Sequence, residues 1–251
     1  MKGKIAKSLP LLLCGANLLA AQGDENFLNC ADGTYPVRGY TQNRQGGVVS
    51  VADYCRSYPA SYSHWFPRLK DRRPEGWPYW SETHGKWTEA EKVRALEALS
   101  EIPEVLWIDS IDGIYRMGKS ISSGNAAAFW NNNITVYDIA FLPESNLPQI
   151  VAHELAHAYF ANRMSDGVRS EYGLSAGWIQ QNLSKGRVHW LARPTGYVMQ
   201  DGRESMDEDF ANNVEYYLYH PDELKKTTPG AYEWIRKNFG KDFTRRKAEK
   251  K

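Results

Sequence analysis

Apolar and polar positions follow a helical period in some stretches of this chain and a strand period in others. Val93, Leu96 and Leu99 recur at helical spacing behind Thr88-Glu89-Ala90-Glu91. That tetrapeptide is a capping box, in which a threonine hydroxyl and the glutamate three residues on satisfy each other's backbone N–H groups. It predicts a helix that ends before Pro103. Residues 105–108 and 113–116 are short apolar runs and predict strands, whereas 119–126 is a Ser/Gly/Asn-rich loop or turn. Residues 134–141, with Ile134, Val136, Ile139 and Phe141 apolar, predict a further strand. After Pro143, Val151, Leu155 and Ala158 at i, i+4 and i+7 predict a helix to about residue 163. Phe210, Val214, Tyr217 and Leu218 mark another over 206–219, and a last one spans 229–239. The pattern as a whole predicts an α+β fold, a small mixed sheet beside a helical half.

Residues 23–86 break this regularity. They are rich in Gly, Pro, Tyr and Trp, with Trp65, Trp77, Trp80 and Trp87 close together. A loop-dominated N-terminal region over 22–86 is expected, its aromatic residues forming a core or lining a sugar or peptide groove. The main domain is then 87–240, and the Lys/Arg-rich end 241–251 reads as a solvated tail.

The 251 residues, 42% hydrophobic, suffice for one sizeable core. Residues 1–21 place Lys2, Lys4 and Lys7 before an apolar run that ends in small residues, the layout of a secretory signal peptide cleaved after Ala21. The run is too short and interrupted to span a membrane. Its removal takes three lysines and no acid, so the formal charge of +1 falls to about −2, and nothing suggests nucleic acid. Cys14 leaves with the signal. Cys30 and Cys55 then remain as an even pair in a secreted or periplasmic protein and are expected to form a disulfide; in a cytosolic chain they would be buried thiols.

Chemistry enters at His153-Glu154-Leu155-Ala156-His157, an H-E-x-x-H motif inside the apolar helix. Positions i and i+4 share a helix face, so both imidazoles reach one metal ion with Glu154 beside it. Neutral imidazole suits zinc, and a catalytic zinc keeps three protein ligands and leaves its fourth position to water. Zinc lowers that water's pKa, and Glu154 is placed to act as general base.

The third ligand must lie downstream. A metzincin needs Gly three and His six residues after the second histidine, and Phe160 and Arg163 stand there instead. Ala176 and Gly177 occupy the region where a thermolysin-like enzyme places its glutamate, and Glu171 comes too early. Farther on, Glu208, Ala211, Asn212 and Glu215 share one stripe of the 206–219 helix. Glu208-Asp209-Phe210-Ala211 resembles the Glu-x-x-Ala element of gluzincin zinc metallopeptidases of the lethal-factor type and related bacterial peptidases. The resemblance covers roughly residues 133–240 and implies a zincin-like catalytic domain in which His153, His157 and Glu208 hold zinc. It also implies that 133–138 is the edge strand lining the substrate cleft. Tyr197, in Pro194-Thr195-Gly196-Tyr197, would be the hydroxyl that stabilises the oxyanion. Two departures stand out: residues 198–207 form a longer loop than the family's, and Asn212 replaces the acid common in relatives.

The expected activity is zinc-dependent hydrolysis of peptide bonds in peptide or protein substrates, peptidoglycan stem peptides included. The alternative is a catalytically weak binding module for peptide or cell-wall polymer, its zinc structural. His189 and His220 lack ligand spacing and read as ordinary polar residues.

Overall fold

A computed structural model describes residues 34–37, 40–44, 47–52, 54–57, 61–121, 124–184 and 187–246. The signal peptide expected over 1–21 and Cys30 lie outside the described residues. The chain divides into two units, residues 1–57 and 58–251.

The first unit carries β1 (Thr34–Val37), β2 (Tyr40–Arg44), β3 (Gly47–Val51) and β4 (Tyr54–Ser57). β2 pairs antiparallel with β3, and β1 with β4, so one hairpin is nested between the arms of another pair. This corrects the expectation of loop over that stretch. Tyr40, Thr41, Val48, Val49 and Val51 are β-formers that the Gly-rich composition obscures.

The second unit begins with α1 (Tyr62–Trp65), a 3₁₀ turn over Phe66–Arg68 and β5 (Leu69–Lys70). Residues 61–86 therefore group with the helical half, and the contacts of the chain divide at 57. Trp65, Trp77 and Trp87 are buried, as the core reading of the aromatic cluster expects, while Trp80 is 81% exposed. α2 (Glu89–Ser100) opens on the Thr88 capping box with both reciprocal bonds made. Residues 104–106 form a 3₁₀ turn rather than a strand, because Leu106 and Ile108 are core anchors in an irregular segment.

β6 (Gly113–Arg116), β7 (Ala127–Trp130) and β8 (Asn133–Val136) complete a mixed sheet of order β5-β6-β8-β7. β5, β6 and β8 run parallel, and β7 is antiparallel to β8. The β7–β8 turn is Asn131-Asn132, both at positive φ (46° and 60°). Two such residues make the type I′ turn whose twist suits a two-residue hairpin, and asparagine tolerates that conformation. Strand β8 is interior and wholly buried, so the edge strand expected at 133–138 is corrected to β7. The chain leaves β8 at Tyr137, and 138–141 is a 3₁₀ turn.

α3 (Leu147–Arg163) packs against β7 and against α2. α4 (Asp166–Ala176) is capped by Ser165 and closed by Gly177 at φ 91°, and a hairpin of β9 (Ile179–Asn182) and β10 (Val188–Leu191) follows. A 3₁₀ turn over Gln200–Arg203 leads into α5 (Met206–Tyr219), which lies along α3; α6 (Pro221–Thr227) and α7 (Pro229–Phe239) close the unit. The core joins Ile114, Ile134 and Val136 of the sheet to Leu155, Phe210 and Ile235 of the helices. Phe243 is buried in it too, so the expected solvated tail packs at least this far. The described fold is thus mixed α/β with a small mixed sheet. Among the described residues no helix is long and apolar enough to cross a membrane.

Candidate metal centre

Two helices build the site. α3 is apolar on the side that carries Val151, Ala152, Leu155 and Ala156, which fixes its roll and turns His153, Glu154 and His157 toward a cleft. α5 is started by Ser205, whose hydroxyl accepts from the Glu208 N–H at 3.0 Å. The acids Asp207, Glu208 and Asp209 fill its first turn, where the helix dipole favours negative charge. Ala211, fully buried, allows α5 to approach α3 closely.

The close approach brings three donors together. His153 Nε2 and His157 Nε2 are 3.1 Å apart, and Glu208 Oε2 lies 3.6 Å from the first and 3.3 Å from the second. Nitrogen and oxygen ligands about 2.0–2.1 Å from a tetrahedral zinc stand about 3.3 Å from one another. The triangle fits that ion. Among the described residues no fourth His, Cys, Asp or Glu joins the group, so these three residues would hold a zinc without closing its coordination.

Compared with protein families, curated proteins and solved structures, the chain matches none.

Each imidazole has a carboxylate behind it, and the one behind His153 is hydrogen-bonded to the ring. His153 Nδ1 meets Glu215 Oε2 at 2.9 Å, and His157 Nδ1 lies 2.9 Å from Asp207 Oδ1. A carboxylate behind Nδ1 holds the ring so that Nε2 faces the metal. Burial pulls both histidines down, but the carboxylates outweigh it. Glu208 and Glu215 carry His153 well above its ordinary value, and Asp207 and Glu208 carry His157 up to about 9. Hydrogen bonding to His153 and His157 holds Glu208 far below the usual carboxylate range. Glu154, 6% exposed, is raised by burial against the opposing charges of His153 and His157. A carboxyl group moved toward neutrality in this way is suited to accept and return a proton.

The cleft has a volume of about 800 Å³, is walled on one side by residues 124–129 leading into and along β7, and carries Glu154, Asp201, Glu204, Asp207, Glu208 and Glu215. Among the described residues no lysine or arginine lines it.

Tyr197 is not brought to this site. Its hydroxyl donates to the Arg193 carbonyl at 3.1 Å, its ring lies 3.8 Å from the Arg193 guanidinium, and it is absent from the cleft lining. It belongs instead to a buried clamp behind α5. Asp209, fully buried, accepts from Arg193 at 2.7 and 2.8 Å and from Trp178 Nε1 at 2.8 Å. Asn212 donates to Asp201 at 2.7 Å and does not support a histidine. That task falls to Glu215 and Asp207. The i, i+7 spacing of Glu208 and Glu215 carried a signal for the former; nothing in the sequence singled out Asp207. His189, on exposed β10, and His220, its ring tilted against Tyr216, lie outside the donor group.

Proposed function

We propose that the protein is a zinc-dependent peptidase with a zincin-like catalytic unit, in which His153, His157 and Glu208 hold the metal and Glu154 is the general base. The observation that carries this is the donor triangle at tetrahedral-zinc spacing, with an open fourth position and a buried carboxylate beside it. When bound, zinc supplies Lewis acidity, polarising a peptide carbonyl and acidifying water. Glu154 takes the proton from the attacking water on a carboxylate oxygen and returns it to the leaving amine nitrogen. Glu215 and Asp207 keep the imidazoles aimed through both steps. The free edge of β7 can align an extended chain by main-chain hydrogen bonds. The acidic wall favours peptides carrying positive charge over acidic ones.

The open fourth position supports catalysis over the alternative of a binding module with structural zinc, since structural sites are closed by a fourth protein ligand. The test uses the purified chain without residues 1–21 and a mixed peptide library, with and without chelator. Glu154→Gln is expected to retain stoichiometric zinc by elemental analysis and to lose hydrolysis by about 10²-fold or more. Unchanged turnover in that variant would sink the mechanism.

A further inference from the structure

We propose that Gln149 is a positioning residue for metal capture, acting on His153 through Glu215. The inference rests on the zinc reading above. Gln149 stands one helical turn before His153 on α3, and its Nε2 donates to Glu215 Oε1 at 2.5 Å. The other oxygen, Oε2, faces His153 Nδ1 at 2.9 Å. An ionised carboxylate only accepts, so both neighbours must donate to it, Gln149 through its amide and His153 through Nδ1–H.

The direction of the Gln149 amide is fixed separately. Asn146 Nδ2 donates to Gln149 Oε1 at 3.0 Å, which turns the amide oxygen toward Asn146 and the nitrogen toward Glu215. Asn146 is itself the N-cap of α3, and its Oδ1 accepts from the Gln149 backbone N–H at 3.4 Å. A continuous chain of donors thus runs from a helix end to Nδ1 of a metal ligand and leaves His153 Nε2 aimed at Glu208 and His157.

The two histidines are braced unequally. The Glu215 side chain is 13% exposed and held on both oxygens, whereas the Asp207 side chain behind His157 is 39% exposed. His153 is therefore the preorganised ligand, and removing the Gln149 donor releases Glu215 to turn away from it.

The full chain is compared with Gln149→Met, near in size but without a donor, and Gln149→Glu, which sets two carboxylates against each other. Zinc affinity is measured by competition with a chromogenic chelator, and the metal-free melting temperature in parallel. Gln149→Met is expected to weaken zinc about tenfold, and Gln149→Glu more, which is the range for residues that support a ligand. The metal-free melting temperature of Gln149→Met should fall by no more than about 6 °C, as when one half-buried acceptor loses its donor. An NMR readout needs no zinc: the His153 Nδ1–H resonance, protected from exchange in the metal-free parent, should be lost in Gln149→Met. Parent-like affinity in Gln149→Met, a weakening matched by a large loss of metal-free stability, or an unaltered Nδ1–H resonance would each overturn the proposal. A parent chain that binds no zinc overturns the zinc reading itself, and the NMR comparison then decides the Gln149 brace alone.

Discussion

Stripped of metal, the site stores protons, and this makes the metal-free protein less stable as pH rises. His157 titrates at about 9 in the fold against 6.5 in a free chain. A group whose pKa is raised by folding adds stability that is complete below its unfolded value and is lost as pH climbs through its folded value. At 1.36 kcal/mol per pH unit, His157 alone contributes about 3 kcal/mol that is present at pH 6 and gone by about pH 9.5. His153 and Glu154, also raised, act in the same direction. Glu208, lowered, loses its contribution only in acid. For a chain of this size 1 kcal/mol moves the melting temperature by roughly 2–4 °C, so a fall of about 6–12 °C is expected between pH 6.5 and 9.5. Thermal melts followed by circular dichroism in chelator across that range provide the measurement. His157→Gln should flatten much of the slope. Saturating zinc, which displaces the protons, should abolish it. A metal-free melting temperature that holds steady or rises over this window would refute the proton-storage argument.

Three further outcomes are expected. Glu208→Ala should leave the purified chain with well under one zinc per molecule by elemental analysis; full retention would assign the third ligand elsewhere. At Gly230 an added Cβ would lie 1.9 Å from the Ser175 carbonyl oxygen, where α7 meets the end of α4. Gly230→Ala should cost about 3 kcal/mol in urea unfolding, and a loss below 0.5 kcal/mol would contradict so close a packing. Expressed from the full sequence in a host that can export it, the chain should by intact mass begin at Gln22 and gain about 2 Da on reduction, as expected for a Cys30–Cys55 disulfide; an unchanged mass would leave both as thiols.

Periodicity made the helices legible where their faces are sorted by burial. α3 and α5 fall where the spacing of Val151, Leu155, Phe210 and Val214 predicts, because a helix against a core must repeat near 3.6. α4 stayed hidden, since Gly167 and Gly173 weaken its local preference and packing sustains it. The edge strand was misplaced by one hairpin arm. β7 and β8 are both short and apolar, and only the paired positive φ at Asn131 and Asn132 says where one ends. The grouping of His153, His157 and Glu208 was legible because H-E-x-x-H and a downstream Glu-x-x-Ala restrict residue type and spacing together. Tyr197 failed for the opposite reason: one aromatic in a loop says nothing of where the loop folds, and Arg193 holds it elsewhere. Gln149 and Asp207 carry no pattern of their own; distance in space alone recruits them.

The free edge of β7 also bears on how the molecule behaves in crowded solution. Unpaired N–H and C=O groups of a strand accept any extended chain, including the same strand of another copy. The cleft beside this edge carries carboxylates and, among the described residues, no compensating lysine or arginine. Two copies meeting edge to edge would press like charges together, so the acids act as a colloidal guard on the cleft. Acidification toward the carboxylate range, or high salt, lowers that guard. Concentrated stocks should remain monodisperse longest at neutral pH and low ionic strength.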